Sequence, residues 1–324
     1  MRLQTKNKKL QYDYRIWLSV SLIYLFLPIR LTAQKNHFLT EFSEQEVIIH
    51  GFSISGFSSV NTYLIELPDA IVLIDVQRSI SNAEKVNRII QRIGKEVKAI
   101  FITHGHPDHY GGLKTIYTKY PNAKIHTSER TKEIIANDEL GFNKQTKLVL
   151  GDDFDENLTL PNTIFKNNEK IKIAGLEIQT LEMGEGEAPE MSVFYLPQLN
   201  VLFAGDVLVN AMTPFLIDAN TLNWIEQLND LKDTFPNAET VYPGHGFPGS
   251  FNQLIDNQID YLKTFREYVR SALEKDNNVD EDEKNKIVKT MKRDYKGYVP
   301  VAAIENLLEL NIDAISKEIV SKKK

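Results

Sequence analysis

The sequence predicts an α/β protein built as a four-layer α/β/β/α sandwich and followed by a C-terminal helical extension. Short β-like runs rich in Ile, Val, Tyr and Leu alternate with stretches of helical period. The order strands, helix, strand, helix occurs twice, as two βαβ-like halves. The candidate ligand residues fall at the ends of these strands, where open α/β sheets collect ligands.

Each element follows from its local pattern. After a linker over 34–43, residues 46–53, 62–66 and 71–75 read as strands bounded by Gly, Ser, Pro and Asp. Residues 82–93 read as an amphipathic helix that stops before Gly94. Residues 97–103 (VKAIFIT) form a buried strand, followed by a loop and a helix from about Leu113. A short strand at 124–126 and a helix at 129–136 come next. Residues 137–162 are polar and read as a loop, a candidate lid over the site. Strands return at 164–165, 171–173 and 177–183, and 192–196 with 201–204 make a hairpin across 198–200. A helix at 224–231, a strand at 240–242 and a long helix at 253–273 follow. The charged stretch 275–296 reads as a solvated turn and a surface helix, and 301–320 as a final amphipathic helix.

The first 33 residues have the pattern of a secretory signal. Arg2, Lys6, Lys8, Lys9 and Arg15 precede an apolar run of 14 residues (16–29), and small residues surround Ala33. That run is short for a spanning helix, so the mature protein is expected free of the membrane, periplasmic or secreted. The expected division is a signal peptide at 1–33, the sandwich domain at 34–274 and the helical extension at 275–324. Without the leader, 32 basic side chains face 43 acidic ones. So acidic a chain makes a poor partner for nucleic acid, whose phosphates need clustered Lys and Arg. There is no cysteine. Disulfides and thiolate ligands are therefore excluded, and any metal must sit on His, Asp and Glu.

The chemistry concentrates in Thr103-His104-Gly105-His106-Pro107-Asp108-His109-Tyr110-Gly111-Gly112, directly after the buried strand. In an extended segment His104 and His106 point to one side, because side chains alternate with period two. Asp108 and His109, on the turn that follows, reach a second point nearby. Imidazole and carboxylate suit Zn2+, and Mn2+ and Fe2+ accept the same donors. His37, His50 and His126 read as core or surface residues. Gly244-His245-Gly246-Phe247-Pro248-Gly249 matches GxGxxG, but no second parallel strand follows the next helix, so a dinucleotide site is rejected.

This HxHxDH run resembles the signature of the metallo-β-lactamase superfamily. Further pieces agree in order. Leu202-Phe203-Ala204-Gly205-Asp206 resembles the segment whose Asp bridges two metals. Val241-Tyr242-Pro243-Gly244-His245-Gly246 resembles the loop that supplies the last histidine. Leu73-Ile74-Asp75 resembles the turn whose Asp supports the ligands, although Gln77 stands where glycine is usual. The usual third histidine of the first metal is missing: no His lies between His126 and His245. Gly184-Glu185-Gly186-Glu187-Ala188-Pro189-Glu190-Met191 resembles the EAPxxM run of the alkylsulfatase branch, which places Glu187 as ligand, with Glu185 and Glu190 as rivals.

The resemblance implies a metal-dependent hydrolase with two Zn2+ per chain. His104, His106 and Glu187 would hold one ion, Asp108, His109 and His245 the other, and Asp206 would bridge. Asp108 and Asp206 are the candidate catalytic carboxylates, acting with a metal-bridging hydroxide on an ester, amide or sulfate-type bond of a small molecule. The apolar segment Met212-Thr213-Pro214-Phe215-Leu216-Ile217-Asp218 is expected at the mouth of the site and suggests a partly hydrophobic substrate. Two other classes use the same fold: a mononuclear iron oxygenase acting on thiol substrates, and a non-catalytic metal-binding module.

Overall fold

The computed structural model describes residues 36–43, 46–54, 60–302 and 304–322. The leader expected at 1–33 lies outside the described residues. Among the described residues no helix is long and apolar enough to cross a membrane.

Two sheets face each other. The first contains β1 (His37–Phe42), β2 (Val47–Phe52), β3 (Thr62–Glu66), β4 (Ala70–Ile74), β5 (Glu96–Phe101), β6 (Lys124–Thr127) and β7 (Thr163–Ile164), in chain order. β1 to β4 pair antiparallel, and β4 to β7 pair parallel. Parallel neighbours need a crossover. The crossovers are α1 (Ile80–Ile93), then α2 (Pro107–Tyr110) with α3 (Leu113–Lys119), then α4 (Glu129–Asn137) with α5 (Phe142–Leu150). The second sheet draws on β8 (Lys170–Ile173), β9 (Leu176–Gly184), β10 (Met191–Leu196) and β11 (Val201–Val209). After β12 (Met212–Thr213) and α6 (Thr221–Thr234), β13 (Thr240–His245) and β14 (Gly249–Ser250) complete it, in the order β14-β13-β11-β10-β9-β8. The chain closes with α7 (Phe251–Leu273), α8 (Glu281–Asp294), β15 (Val299–Pro300) and α9 (Leu307–Ser321).

Period-two alternation sorts the side chains into layers. Ile65, Val72, Phe101, Phe194, Leu196 and Phe203 point between the sheets and form one apolar cluster. Leu64, Leu73 and Ile100 point outward onto α1 and α3. Val193, Tyr195, Leu202 and Ala204 point outward onto α6 and α7. Both faces of both sheets are thus covered, and the order of layers is helix, sheet, sheet, helix.

The structure departs from the sequence reading at several places, among them the final helix, expected over 301–320 and found as α9 only from Leu307, and the expected loop after residue 103, which contains α2. The expected linker at 34–43 contains β1, which pairs with β2 along its full length. The expected loop at 137–162 contains α5, a helix whose Leu148 and Val149 are largely exposed to solvent. The charged stretch 275–296 forms the expected turn and surface helix, α8, and adds a buried face. Ile287, Val288 and Met291 on one face join the core beneath α7. Finally β11 runs through Asp206 to Val209 instead of stopping before it, with a break in its register to β13 around Gly205.

The sandwich is stitched together at one end. Val60 bridges to His245, and His104 bridges to Met191, so each sheet touches the other's ligand loop. Buried Asn61 reinforces the first contact. Its backbone N–H donates to the Gly244 carbonyl (2.7 Å), and its amide reaches the carbonyls of Pro243 (2.9 Å) and Gly246 (2.7 Å). Asn61→Ala leaves the Gly246 carbonyl without this donor and is expected to lower unfolding free energy by about 1–3 kcal/mol. A urea titration reads this as a lower midpoint with unchanged slope.

Candidate metal centre

The site begins where β5 ends. His104 and His106 leave the strand on one side, their rings 4.7 Å apart between centroids. His106 is the N-cap residue of α2 and Pro107 opens the helix, which is the place where a missing N–H costs nothing. One turn of α2 then turns Asp108 and His109 inward, where both are buried.

A single carboxylate sets the orientation of two of these rings. Asp75, at the end of β4, accepts from the Thr103 N–H (2.9 Å), the Thr103 hydroxyl (2.9 Å) and His109 Nδ1 (2.7 Å). A carboxylate only accepts, so His109 keeps a proton on Nδ1, and Nε2 is the atom it can offer to a metal once its own proton is displaced. The Thr103 hydroxyl has spent its proton on Asp75, so at 3.0 Å it accepts from His104 Nδ1. His104 therefore also presents Nε2. This is the outer support that metal-binding histidines use to fix their tautomer.

The second sheet brings the remaining residues. Asp206 sits in β11 and His245 ends β13. The neighbouring Gly244 is required by contact, because a Cβ there would lie 1.9 Å from Asp206 Oδ1. Glu187 sits in the turn between β9 and β10 and is buried. Its rivals face elsewhere. Glu185 accepts from the Asn220 amide (3.3 Å), and Glu190 accepts from the Gly184 N–H (3.3 Å).

Seven side chains thus converge as two groups: His104, His106, Glu187 and Asp206, and Asp108, His109 and His245. Within each group the candidate donor atoms lie within 4.8 Å of one another. Asp206 also spans the groups, with Oδ1 3.4 Å from His109 Nε2 and Oδ2 3.3 Å from His245 Nε2. Glu187 lies 3.4 Å from His106 Nδ1 and 3.8 Å from His104 Nε2. Asp108 lies 3.4 Å from His245 Nε2 and 3.9 Å from His109 Nε2.

The donor set fits metal ions on two observations. These separations exceed a charge-assisted hydrogen bond. They match the edge of a tetrahedron with metal–ligand arms near 2.1 Å, which is about 3.4 Å. Second, Nε2 of His104, His109 and His245, both oxygens of Glu187 and Oδ1 of Asp206 are buried with no hydrogen-bond partner. Buried polar groups left unpaired are costly and rare, and here they all face one another.

Electrostatics of the metal-free cluster agree. Burial drives His104 well below the usual imidazole range and pushes Glu187 up to about 7. Burial opposes charge on His245 as well, but Asp206 and Asp108 outweigh it and hold its proton up to about 9. His106 is raised against burial by Glu187, and His109 by Asp206 and Asp75. Asp108 stays ionised despite burial because the Arg78 guanidinium, 3.3 Å away, and His109 favour its charge.

Sequence reasoning missed Arg78, the role of Thr103 and one wall of the site. Phe142 of α5 and Phe215 of the segment after β12 flank the His106 ring, at 5.4 and 5.5 Å between centroids. Phe215 belongs to the apolar segment expected at the mouth, whereas Phe142 lies in the stretch that reads as a polar loop. His37 and His50 lie apart from the centre, where His50 bonds Glu66 (2.7 Å) and stacks on His37. His126 stacks on Phe101.

Comparison with known proteins agrees with this geometry. The model of the metallo-beta-lactamase superfamily matches residues 55–245. The chain is 26% identical over 243 residues to a linear primary-alkylsulfatase of a Pseudomonas species, covering 64% of this chain and 45% of that protein. It is 26% identical over 183 residues to the metallo-beta-lactamase type 2 of Bacillus cereus, covering 56% and 63% respectively. The chain therefore spans less than two thirds of either relative. Among solved structures, a metallo-beta-lactamase from Pontibacter korlensis superposes with a TM-score of 0.56 at 22% identity, over 72% of this chain and 99% of that one.

Two outcomes are expected. Asp75→Ala frees both ring tautomers and should weaken Zn2+ affinity about 10- to 100-fold in a chelator competition, with the fold retained by circular dichroism. Metal must also displace the protons held by the apo site. The His245 proton, kept up to about pH 9, makes Zn2+ affinity rise with pH towards that value. Loading the apo protein in unbuffered solution at pH 7.5 should acidify it, as a pH electrode would record.

Proposed function

Because the chain belongs to the metallo-β-lactamase superfamily, we propose that it is a hydrolase with two Zn2+ per chain. In this reading His104, His106 and Glu187 hold one ion, Asp108, His109 and His245 the other, and Asp206 is shared. The observation that carries it is the convergence of seven buried side chains whose unpartnered atoms face one another across two sheets. A filled second group, Asp108 with His109 and His245, favours two ions over the single iron of an oxygenase.

When bound, the ions supply a water acidified to a pKa of about 7 and a Lewis acid for the substrate oxygen. The protein's own groups do the rest. Asp108, kept ionised by Arg78, accepts a hydrogen bond from the attacking water and orients it. Asp206 links the two ligand groups and fixes their separation. With Glu187 in place of a histidine, the ligand set carries three carboxylates, which makes the centre less electrophilic and its nucleophile more basic. Phe142 and Phe215 exclude water on the His106 side and would pack against an apolar part of the substrate. The bond cleaved is an ester, amide or sulfate-type bond of a small molecule. The likeness to an alkylsulfatase in sequence and in the Glu187 run supports the sulfate-type member of that set.

The same reading assigns residues 1–33 to an export signal, 34–274 to the catalytic domain and 275–324 to a helical extension. The mature enzyme would be periplasmic or secreted.

The test combines metal analysis with a panel of chromogenic esters, lactones, β-lactams, phosphodiesters and sulfate esters. Two zinc per chain and turnover of at least one class are expected. His106→Ala should lower kcat/KM by more than about 100-fold. Turnover untouched in that variant sinks the mechanism, and one iron per chain redirects it to oxygenase chemistry.

A further inference from the structure

We infer that Asn311, in the C-terminal helix, is a positioning residue for the substrate side of the metal centre and acts through Phe215. The inference rests on the hydrolase reading above for its kinetic consequence, but its structural part stands alone.

Asn311 is completely buried, on the face of α9 that meets the body of the protein. Its Oδ1 accepts from the Leu216 N–H and its Nδ2 donates to the Pro214 carbonyl, both at 2.9 Å. Those two backbone groups bracket Phe215. A planar amide that binds the carbonyl before a residue and the N–H after it imitates a paired strand. It fixes both backbone dihedrals of the residue between, and so the direction in which its side chain leaves. Here that side chain is the ring standing against His106 (5.5 Å) and Phe142 (6.0 Å).

The same stretch is gripped on either side by C-terminal residues. Upstream, β12 pairs in parallel with β15, and the Val301 N–H donates to the Thr213 carbonyl (3.1 Å). Val301 also joins Val209 and Met212 in the apolar cluster on which Phe215 rests. Downstream, Glu318 accepts from the Thr221 N–H (3.2 Å) and the Leu222 N–H (3.3 Å) at the start of α6, and pairs with Arg266 (2.9 Å). A carboxylate at a helix start satisfies donors that the helix cannot. Asn311 and Glu318 are seven residues apart, two helical turns, and so share one face of α9. That face therefore acts as a splint along 212–222. The family match ends at His245, so this splint lies beyond the matched residues.

A merely structural asparagine would affect stability alone, whereas a positioning one affects which substrates are bound. The full-length, zinc-loaded protein is compared with Asn311→Ala, Asn311→Asp, Phe215→Ala and the double variant Asn311→Ala/Phe215→Ala. Asn311→Asp keeps the side-chain size and the acceptor for Leu216 but loses the donor to Pro214, so it serves if the alanine variant folds poorly. Metal content should stay at the wild-type value in both Asn311 variants. The ratio of KM for a bulky apolar substrate to KM for a compact one should rise about fivefold. Adding Asn311→Ala to Phe215→Ala should change that ratio less than about twofold, since the two act through one ring. Amide exchange across 212–218 should quicken about tenfold or more while the β-sheet amides keep their protection. A KM ratio that does not move, or additive effects in the double variant, overturns the positioning role. If the wild type turns nothing over, the hydrolase reading has failed, and the exchange measurement decides the positioning role by itself: unchanged exchange overturns it.

Discussion

The site depends on the Asp75 carboxylate accepting three hydrogen bonds at once. Two come from Thr103 and one from His109, and through the Thr103 hydroxyl the same group fixes His104. One buried acceptor therefore sets the proton position on two of the four ligand-type histidines. Backbone bonds tie the same end of β4 to the loop after β5: the Val76 N–H donates to the His109 carbonyl (2.8 Å) and the Gly112 N–H to the Gln77 carbonyl (2.8 Å). The turn that places Asp75 is strained. Asp75 and Gln77 both adopt left-handed backbone, with φ of 55° and 71°. Conformations of that kind persist only where their surroundings over-determine them. Gln77 shows how: its buried amide donates to the Val60 carbonyl (3.0 Å) and to Thr62 (2.9 Å). A residue in a glycine position thus becomes a strut between the ligand turn and the start of β3.

Bringing seven ionisable groups into a dry space works against folding unless charge is balanced. In the metal-free cluster the balance is made with protons. Burial would neutralise the carboxylates, yet Asp206 and Asp108 stay ionised because His109, His245 and Arg78 supply opposing charge. His245 and His109 are correspondingly kept protonated. Divalent ions bound by the same carboxylates would take over the balancing role of these protons. The large apolar clusters on either side of both sheets contain none of the seven metal-site residues.

Much of this was legible in the sequence, and the exceptions have physical causes. The two halves of the sandwich follow from periodicity, because their strands are buried and uninterrupted. His104, His106, Asp108 and His109 follow from spacing at a strand end, whereas Asp206 and His245 were placed by the family resemblance. Glu187 needed the family resemblance, since three glutamates compete within six residues and only tertiary contacts send Glu185 and Glu190 elsewhere. β1 was hidden because an edge strand with one half-open face carries a weak apolar signal. α5 was hidden because it has no buried residue and no side-chain cap, so neither burial pattern nor terminus marks it. Arg78 and Asn311 could not be found by pattern at all. Their roles lie in pairings with Asp108, 30 residues away, and with Pro214, 97 residues away, and a single sequence does not display such contacts.

The distribution of these contacts separates chemistry from selection along the chain. Every residue that faces another's unpartnered donor atom comes from the segment 104–245, and its support comes from Asp75, Thr103 and Asn61 in the same two sheets. Those contacts run between strand ends of the two sheets, and sites built on such elements suit groups that must be placed within tenths of an ångström. The walls are built otherwise. Phe142 stands on a helix with no buried residue, and Phe215 on a connection that owes its shape to α9 and β15. Such parts can be reshaped without touching a ligand. A change in the C-terminal helices would move the Phe215 ring and leave the Asp75 network intact, because no hydrogen bond of that network reaches past His109 to them. Divergence of substrate within a constant metal geometry is what this division of the chain permits.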